Sequence, residues 1–188
     1  MKKSDNVIYT DWLLIYFSYY QLLEVREALF ELGVPLIVSV ICTAIYIKHN
    51  KGELALHKHA DIFPSITSIM IGFTVALITI LLTSGSESLN ELKKQKSKKR
   101  LNGKSITLFQ VLHVQFSYLL LIEVLLLLVL LFYLYLTGIA CDSVVENVFL
   151  FFEVFLLMSI LFCIVRSITN LHFAFFDGSR REGDNRHN

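Results

Sequence analysis

Two carboxylic acids lie where carboxylic acids are costly. Glu123 interrupts an otherwise apolar run over residues 119–136, and Glu153 sits among Val, Leu and Phe in the run that begins at Val144. A charge near the centre of a bilayer costs at least about 2.5–3.5 kcal/mol. Each side chain must therefore be protonated, paired or turned toward water. Counting about 1.5 Å per residue from the short turn 137–143 puts Glu123 roughly 20 Å deep and Glu153 roughly 12 Å deep. Glu146, seven residues before Glu153, shares its helix face and draws an acidic track inward. Such a pair can serve an ion or proton pathway, or sense the state of the membrane. The plainer reading is a protonated carboxyl bonded to a neighbouring helix backbone or hydroxyl.

The second chemistry is packing. Ser65, Ser68, Gly72, Ala76, Thr79 and Thr83 recur at spacings of three or four. Small and hydroxylated side chains in one stripe let helix backbones approach, in membranes as an alternative to hydrophobic association. The stripe fits packing within the protomer, a homo-oligomer seam or a polar lining. The third is charge. Lys93, Lys94, Lys96, Lys98, Lys99 and Arg100 crowd the segment 93–104 (KKQKSKKRLNGK), which has no aromatic residue. Beside a membrane, a basic cluster binds anionic headgroups. It also suits an acidic partner, whereas direct nucleic-acid contact without stacking rings would stay on the phosphate backbone and carry no sequence specificity.

Catalysis finds no purchase. No Walker loop, GxSxG, HExxH or CxxC is present. Cys163, Ser159 and His113 stand without a recognisable base or nucleophile beside them, so an enzyme and a bound cofactor are not expected. His49, His57 and His59 accompany Glu53 and Asp61, but a solvated loop does not fix ligand spacing, and no metal is expected. Cys42, Cys141 and Cys163 are far apart and form neither a redox pair nor a zinc site.

These residues need helices that cross lipid. Of 188 residues, 55% are hydrophobic and 18% charged, against about 25% charged in soluble domains. That excludes a disulfide scaffold, a disordered chain and a free cytosolic enzyme. Four apolar blocks are expected as spans at residues 28–47, 62–83, 106–136 and 144–176. About 20 helical residues cross a 30 Å core. The third and fourth are too long for an upright crossing and too short for two, so each tilts or projects, the third at Gln110, His113, Gln115 and Ser117, the fourth at Arg166, Asn170 and His172. Ser86, Glu87, Asn90 and Glu91 read as an extension of the second span. The segment 7–27, rich in Trp12, Tyr16, Phe17, Tyr19 and Tyr20, is too short to cross over 12–23. It is expected as an amphipathic interfacial helix, with a fifth crossing as the alternative. The fold class is all-α, a single polytopic membrane domain with four transmembrane helices.

Cations set the orientation. Three Lys or Arg precede the first block, seven fall in the loop 84–105 and three in the tail 177–188, which makes 13 on one side against Lys48, Lys51 and Lys58 on the other. The positive-inside rule places both termini and the basic loop in the cytoplasm.

The plan resembles a known group. Four spans, cytoplasmic termini, a small-residue second span ending in residues 78–84 (ITILLTS) and a basic loop behind it are similar to the small inner-membrane subunits of bacterial phage-defence pairs. The Kiwa membrane protein KwaA is the nearer likeness, with the lambda exclusion protein RexB sharing the plan; the likeness runs over residues 62–176. The resemblance implies a homo-oligomer that detects membrane disturbance during infection and scaffolds a cytoplasmic DNA-binding partner. It carries over no catalytic residue. The rival expectation is a homo-oligomeric ion-conducting or membrane-depolarising channel.

Overall fold

The computed structural model describes residues 11–49, 62–83, 87–101, 103–137 and 143–185. Its elements are α1 (Asp11–Leu22), α2 (Val25–His49), α3 (Ile62–Thr83), α4 (Glu87–Lys94), β1 (Lys96–Leu101), β2 (Lys104–Thr107), α5 (Leu108–Thr137) and α6 (Ser143–Asn185). Among the described residues, four helices are long and apolar enough to cross a membrane: Val25–His49, Ile62–Thr83, Leu108–Leu136 and Ser143–His172. The protein is an all-α, multi-pass membrane protein, with one small two-stranded hairpin. The spans turn bulk outward. Leu36, Ile37, Val40 and Ile41 of α2, and Ile66, Ile69, Phe73 and Ile80 of α3, are exposed, as expected where hydrocarbon rather than water is the solvent.

Several boundaries differ from the sequence expectation. The aromatic segment is a separate 12-residue helix, and the first span starts at Val25, because the chain breaks helix at Leu23 and Glu24. The third span starts at Leu108 rather than at residue 106, since Ile106 and Thr107 pair in β2. Thr107 caps α5 reciprocally: Gln110 N donates to Thr107 Oγ1 at 3.3 Å, and Thr107 N donates to Gln110 Oε1 at 2.9 Å. This is a capping box. The last helix runs through the expected tail to Asn185. The expected extension of the second span is the separate helix α4. Much of the loop 48–61, with His57, His59, Glu53 and Asp61, and the turn at 138–142 with Cys141 lie outside the described residues.

The chain divides into two compact units. The first contains Met1–Glu24, Leu77–Tyr118 and Val165–Asn188. Here an aromatic cluster fastens α1 to the start of α5. The rings of Tyr19 and Tyr118 stack at 3.8 Å and 5°, and the Tyr20 and Tyr118 hydroxyls share a 3.1 Å hydrogen bond. Leu22, Ile106 and Val111 form a buried cluster with Leu101 and Val114 against it. Trp12, Leu14 and Phe17 remain exposed on α1, an apolar face suited to an interface.

The second unit contains Val25–Ala76 and Leu119–Ile164. Tyr46 of α2 meets Glu146 of α6, and Phe30 meets Phe162 with ring centroids 5.3 Å apart. As α2 ascends from 30 to 46, α6 descends from 162 to 146, so the two helices are antiparallel in steady register. Tyr133 and Phe149 lie 5.3 Å apart and fix α5 beside α6. Pro35 stands inside α2, buried, with Ser39 one turn on and fully enclosed. Proline has no N–H to give to the carbonyl four residues back. The Ser39 hydroxyl donates to the Pro35 carbonyl at 2.6 Å.

Candidate functional site

The buried seams of the spans carry polar groups. In the unit Val25–Ala76 with Leu119–Ile164, Glu123, Glu146 and Glu153 are each no more than 3% exposed. Their environments differ. Thr74 Oγ1 donates to Glu123 Oε1 at 2.9 Å, which places a hydroxyl of the second span on this carboxyl. Tyr46 Oη donates to Glu146 Oε1 at 2.7 Å. For Glu153, Oε2 is buried with no hydrogen-bond partner among the described residues, and the same holds for Glu123 Oε2. In lipid an unsatisfied polar group costs several kcal/mol. Each of these two carboxyls thus has one oxygen that no described protein group satisfies.

The two predicted carboxyls do not sit at one level. The Tyr133–Phe149 contact sets the α5–α6 register, by which Glu123 lies level with Ser159. Glu153 is six residues nearer the start of α6, a separation of about 9 Å along the axis. By the α2–α6 register, Glu153 lies level with Ser39. The three acids thus occupy successive depths, Glu123 against α3 through Thr74 and Glu146 against α2 through Tyr46. Glu146 belongs in this set because of its Tyr46 partner, a contact no local pattern announces.

The small-residue stripe faces away from the protein's own interior. Ser65, Ser68, Gly72, Ala76, Thr79 and Thr83 are all exposed, while Thr67, Thr74 and Leu81 are buried. Positions 67, 74 and 81 repeat every seven residues and lie on the opposite side of α3. Two stripe hydroxyls turn back on their own helix: Ser68 to the Pro64 carbonyl at 2.8 Å and Thr83 to the Thr79 carbonyl at 2.7 Å. A Cβ at Gly72 would meet nothing within 4 Å.

The basic segment is folded. α4 carries Lys93 and Lys94, β1 carries Lys96, Lys98, Lys99 and Arg100, and β2 begins at Lys104. The strands pair antiparallel with Arg100 opposite Ser105 and Leu101 opposite Lys104, and a register shift lies between Lys96 and Arg100. Gly103 takes φ 76° in the connecting turn, the left-handed conformation that glycine adopts without strain. Leu108 N donates to Gln95 O at 3.0 Å and closes the base. Lys93 Nζ lies 5.1 Å from the Phe109 ring centroid, a cation–π contact. The aromatic partner comes from outside the basic run, so the run itself could not reveal it. Lys93, Lys94, Lys96, Arg100 and Lys104 are exposed.

Among the remaining residues considered for chemistry, Cys163 is buried and Cys42 exposed, and Ser159 donates to the Phe155 carbonyl at 2.8 Å. No group of three or more His, Cys, Asp or Glu among the described residues is placed to hold a metal ion. No family model, curated protein or solved structure matches this chain.

Proposed function

We propose that the protein is an inner-membrane sensor and scaffold of a phage-defence pair, with both termini and the basic hairpin in the cytoplasm. It responds to disturbance of the bilayer and holds a cytoplasmic DNA-binding effector, without itself reading a nucleic-acid sequence. The observation that supports this reading is the folded state of the basic segment. A flexible lysine run binds lipid without shape; a hairpin with a fixed turn, closed base and five exposed cations presents a patterned surface to a partner. The exposed stripe on α3 suits assembly of several copies, which would array those surfaces. Catalysis has no place in this reading.

The test is protection. Cells carrying the protein with the product of its neighbouring gene should resist phage infection. Replacing Lys93, Lys94, Lys96, Lys98, Lys99 and Arg100 by Gln should abolish both protection and co-purification of that product, while membrane insertion persists. Retained protection in the neutralised variant rules the scaffold out.

A second reading rests on the carboxyl oxygens without partners at Glu123 and Glu153. Carboxyls at successive depths suit a homo-oligomeric path for protons or cations. Liposome flux that disappears in Glu153→Gln or Glu123→Gln supports conduction; flux indistinguishable from protein-free vesicles rules it out.

A further inference from the structure

The two faces of the basic hairpin have different surroundings. Successive strand residues point to opposite sides, and residues paired directly across the ladder share a side. Ile106 is buried, and Leu101 packs against the cluster it forms with Leu22 and Val111, so these two define the inner side. Arg100 pairs with Ser105, and Lys96 pairs with Thr107. Arg100, Ser105 and Thr107 each adjoin an inner residue in the chain, so all four lie on the outer side. Lys96, Arg100 and Ser105 are exposed there, and Thr107 is half-buried.

The outer side thus carries two couples, each a cation beside a hydroxyl. Ser105 and Thr107 are two residues apart on one strand, so the couples stand about 7 Å apart. Two contacts hold that spacing. Within the register shift, Lys99 N donates to Ser97 Oγ at 3.1 Å, and Leu108 N closes the base on Gln95 O. The Thr107 hydroxyl accepts from Gln110 N, which leaves its own hydrogen to donate. Each couple therefore offers positive charge and donors, the chemistry that receives an anion.

The spacing tells which anion. A carboxylate accepts a guanidinium bidentately and has lone pairs left for a hydroxyl. In an extended peptide the side chains of one side recur every two residues, again about 7 Å. A second copy of the hairpin would bring like charges and be repelled. Fluid headgroups gain nothing from a fixed spacing, and none of the four outer residues can stack a base. We propose that the outer face of the hairpin receives an acidic, extended segment of a partner protein, with one carboxylate on Arg100 and Ser105 and the next but one on Lys96 and Thr107. No covalent step is involved. The proposal rests on the scaffold reading and narrows its basic surface to two cations. Lys93 and Lys94, on α4, attract the segment without setting its register.

The experiment uses the full-length protein in phosphatidylcholine nanodiscs and two fluorescein-labelled peptides of one composition. In Thr-Glu-Val-Glu-Val-Thr the acids alternate and share a side; in Thr-Glu-Glu-Val-Val-Thr they are adjacent and point apart. Fluorescence anisotropy should show the alternating peptide binding about tenfold more tightly. Arg100→Gln should lower its affinity about tenfold, and Arg100→Lys should recover only part of that. Ser105→Ala keeps every charge and should lower it about threefold, so the site stays testable if Arg100→Gln opens the hairpin. Hydrogen exchange over residues 96–107 reads that opening. Lys94→Gln should weaken both peptides alike, by less than about twofold. Equal binding of the two peptides, or binding indifferent to both Arg100→Gln and Ser105→Ala, overturns the site. Arg100-dependent binding of phosphatidylglycerol vesicles or duplex DNA, with neither peptide bound, overturns the assignment to a protein segment. Peptide discrimination intact in a protein that gives no phage protection would fault the defence reading alone.

Discussion

Thr74 of the second span donates a 2.9 Å hydrogen bond to Glu123 of the third, and both side chains are buried. The bond accounts for one carboxyl oxygen and leaves Oε2 without a partner. A glutamine at 123 keeps an acceptor for the threonine hydroxyl; a leucine does not. Glu123→Gln should therefore unfold close to wild type in a detergent titration, and Glu123→Leu should cost about 1–3 kcal/mol, from the Thr74 hydroxyl left behind. A double-mutant cycle with Thr74→Val should return a coupling of about 1 kcal/mol. Additive losses would mean the pair does not interact.

At the other end of the acidic series, Tyr46→Phe removes a hydroxyl that donates to Glu146 Oε1. The expected loss is about 1–3 kcal/mol, recovered in part when Glu146→Gln is added, because a neutral amide is less costly to leave in the apolar interior. Thermal unfolding followed by helical circular dichroism reads both.

The hairpin turn gives a sharper local test. A Cβ at Gly103 would meet nothing within 4 Å, yet φ is +76°. Any penalty for Gly103→Ala comes from the backbone conformation alone, about 1 kcal/mol. Trypsin cleavage within residues 96–104 should accelerate roughly fivefold, with the spans undisturbed. Thr107→Val, which breaks the capping box, should cost α5 about 1 kcal/mol and fray its first turn in hydrogen exchange.

Gly72 probes the outward stripe. Nothing lies near its absent Cβ, so Gly72→Leu should leave the protomer's unfolding curve in place. If copies meet along this face, the same change should abolish chemical cross-links between protomers. Unchanged cross-links would direct the search for an assembly surface elsewhere.

Much of the architecture was open to the eye because lipid imposes it. The second span, Ile62–Thr83, is bounded as the hydropathy run is, and Glu123 stood out as the one acid in its block. The placement of the small residues was not legible, since a stripe at spacings of three and four marks a face but not what it faces; Thr67 and Thr74 on the other side took the interior. Nor was the hairpin foreseen. Lysine-rich sequence is poor strand material, and the hydropathy of the span behind it masked two short-range signals. One was Asn102-Gly103, the dipeptide of two-residue hairpins; the other was Thr107 followed by Gln110, a capping pair. The Tyr46–Glu146 and Tyr19–Tyr118 contacts join residues about 100 positions apart, and no local pattern encodes such a meeting.

The first span also carries a break in its own ladder. At Pro35 the amide hydrogen that would reach back to the main chain of Glu31 is chemically missing, and one turn on the Ser39 hydroxyl adds a side-chain bond to the Pro35 carbonyl. A rod so built bends more readily there than anywhere along its neighbours, which have proline only in the first turn, at Pro64, or none. The stretch from Glu31 to Ser39 is thus the part of α2 with the least main-chain bonding to resist a bend.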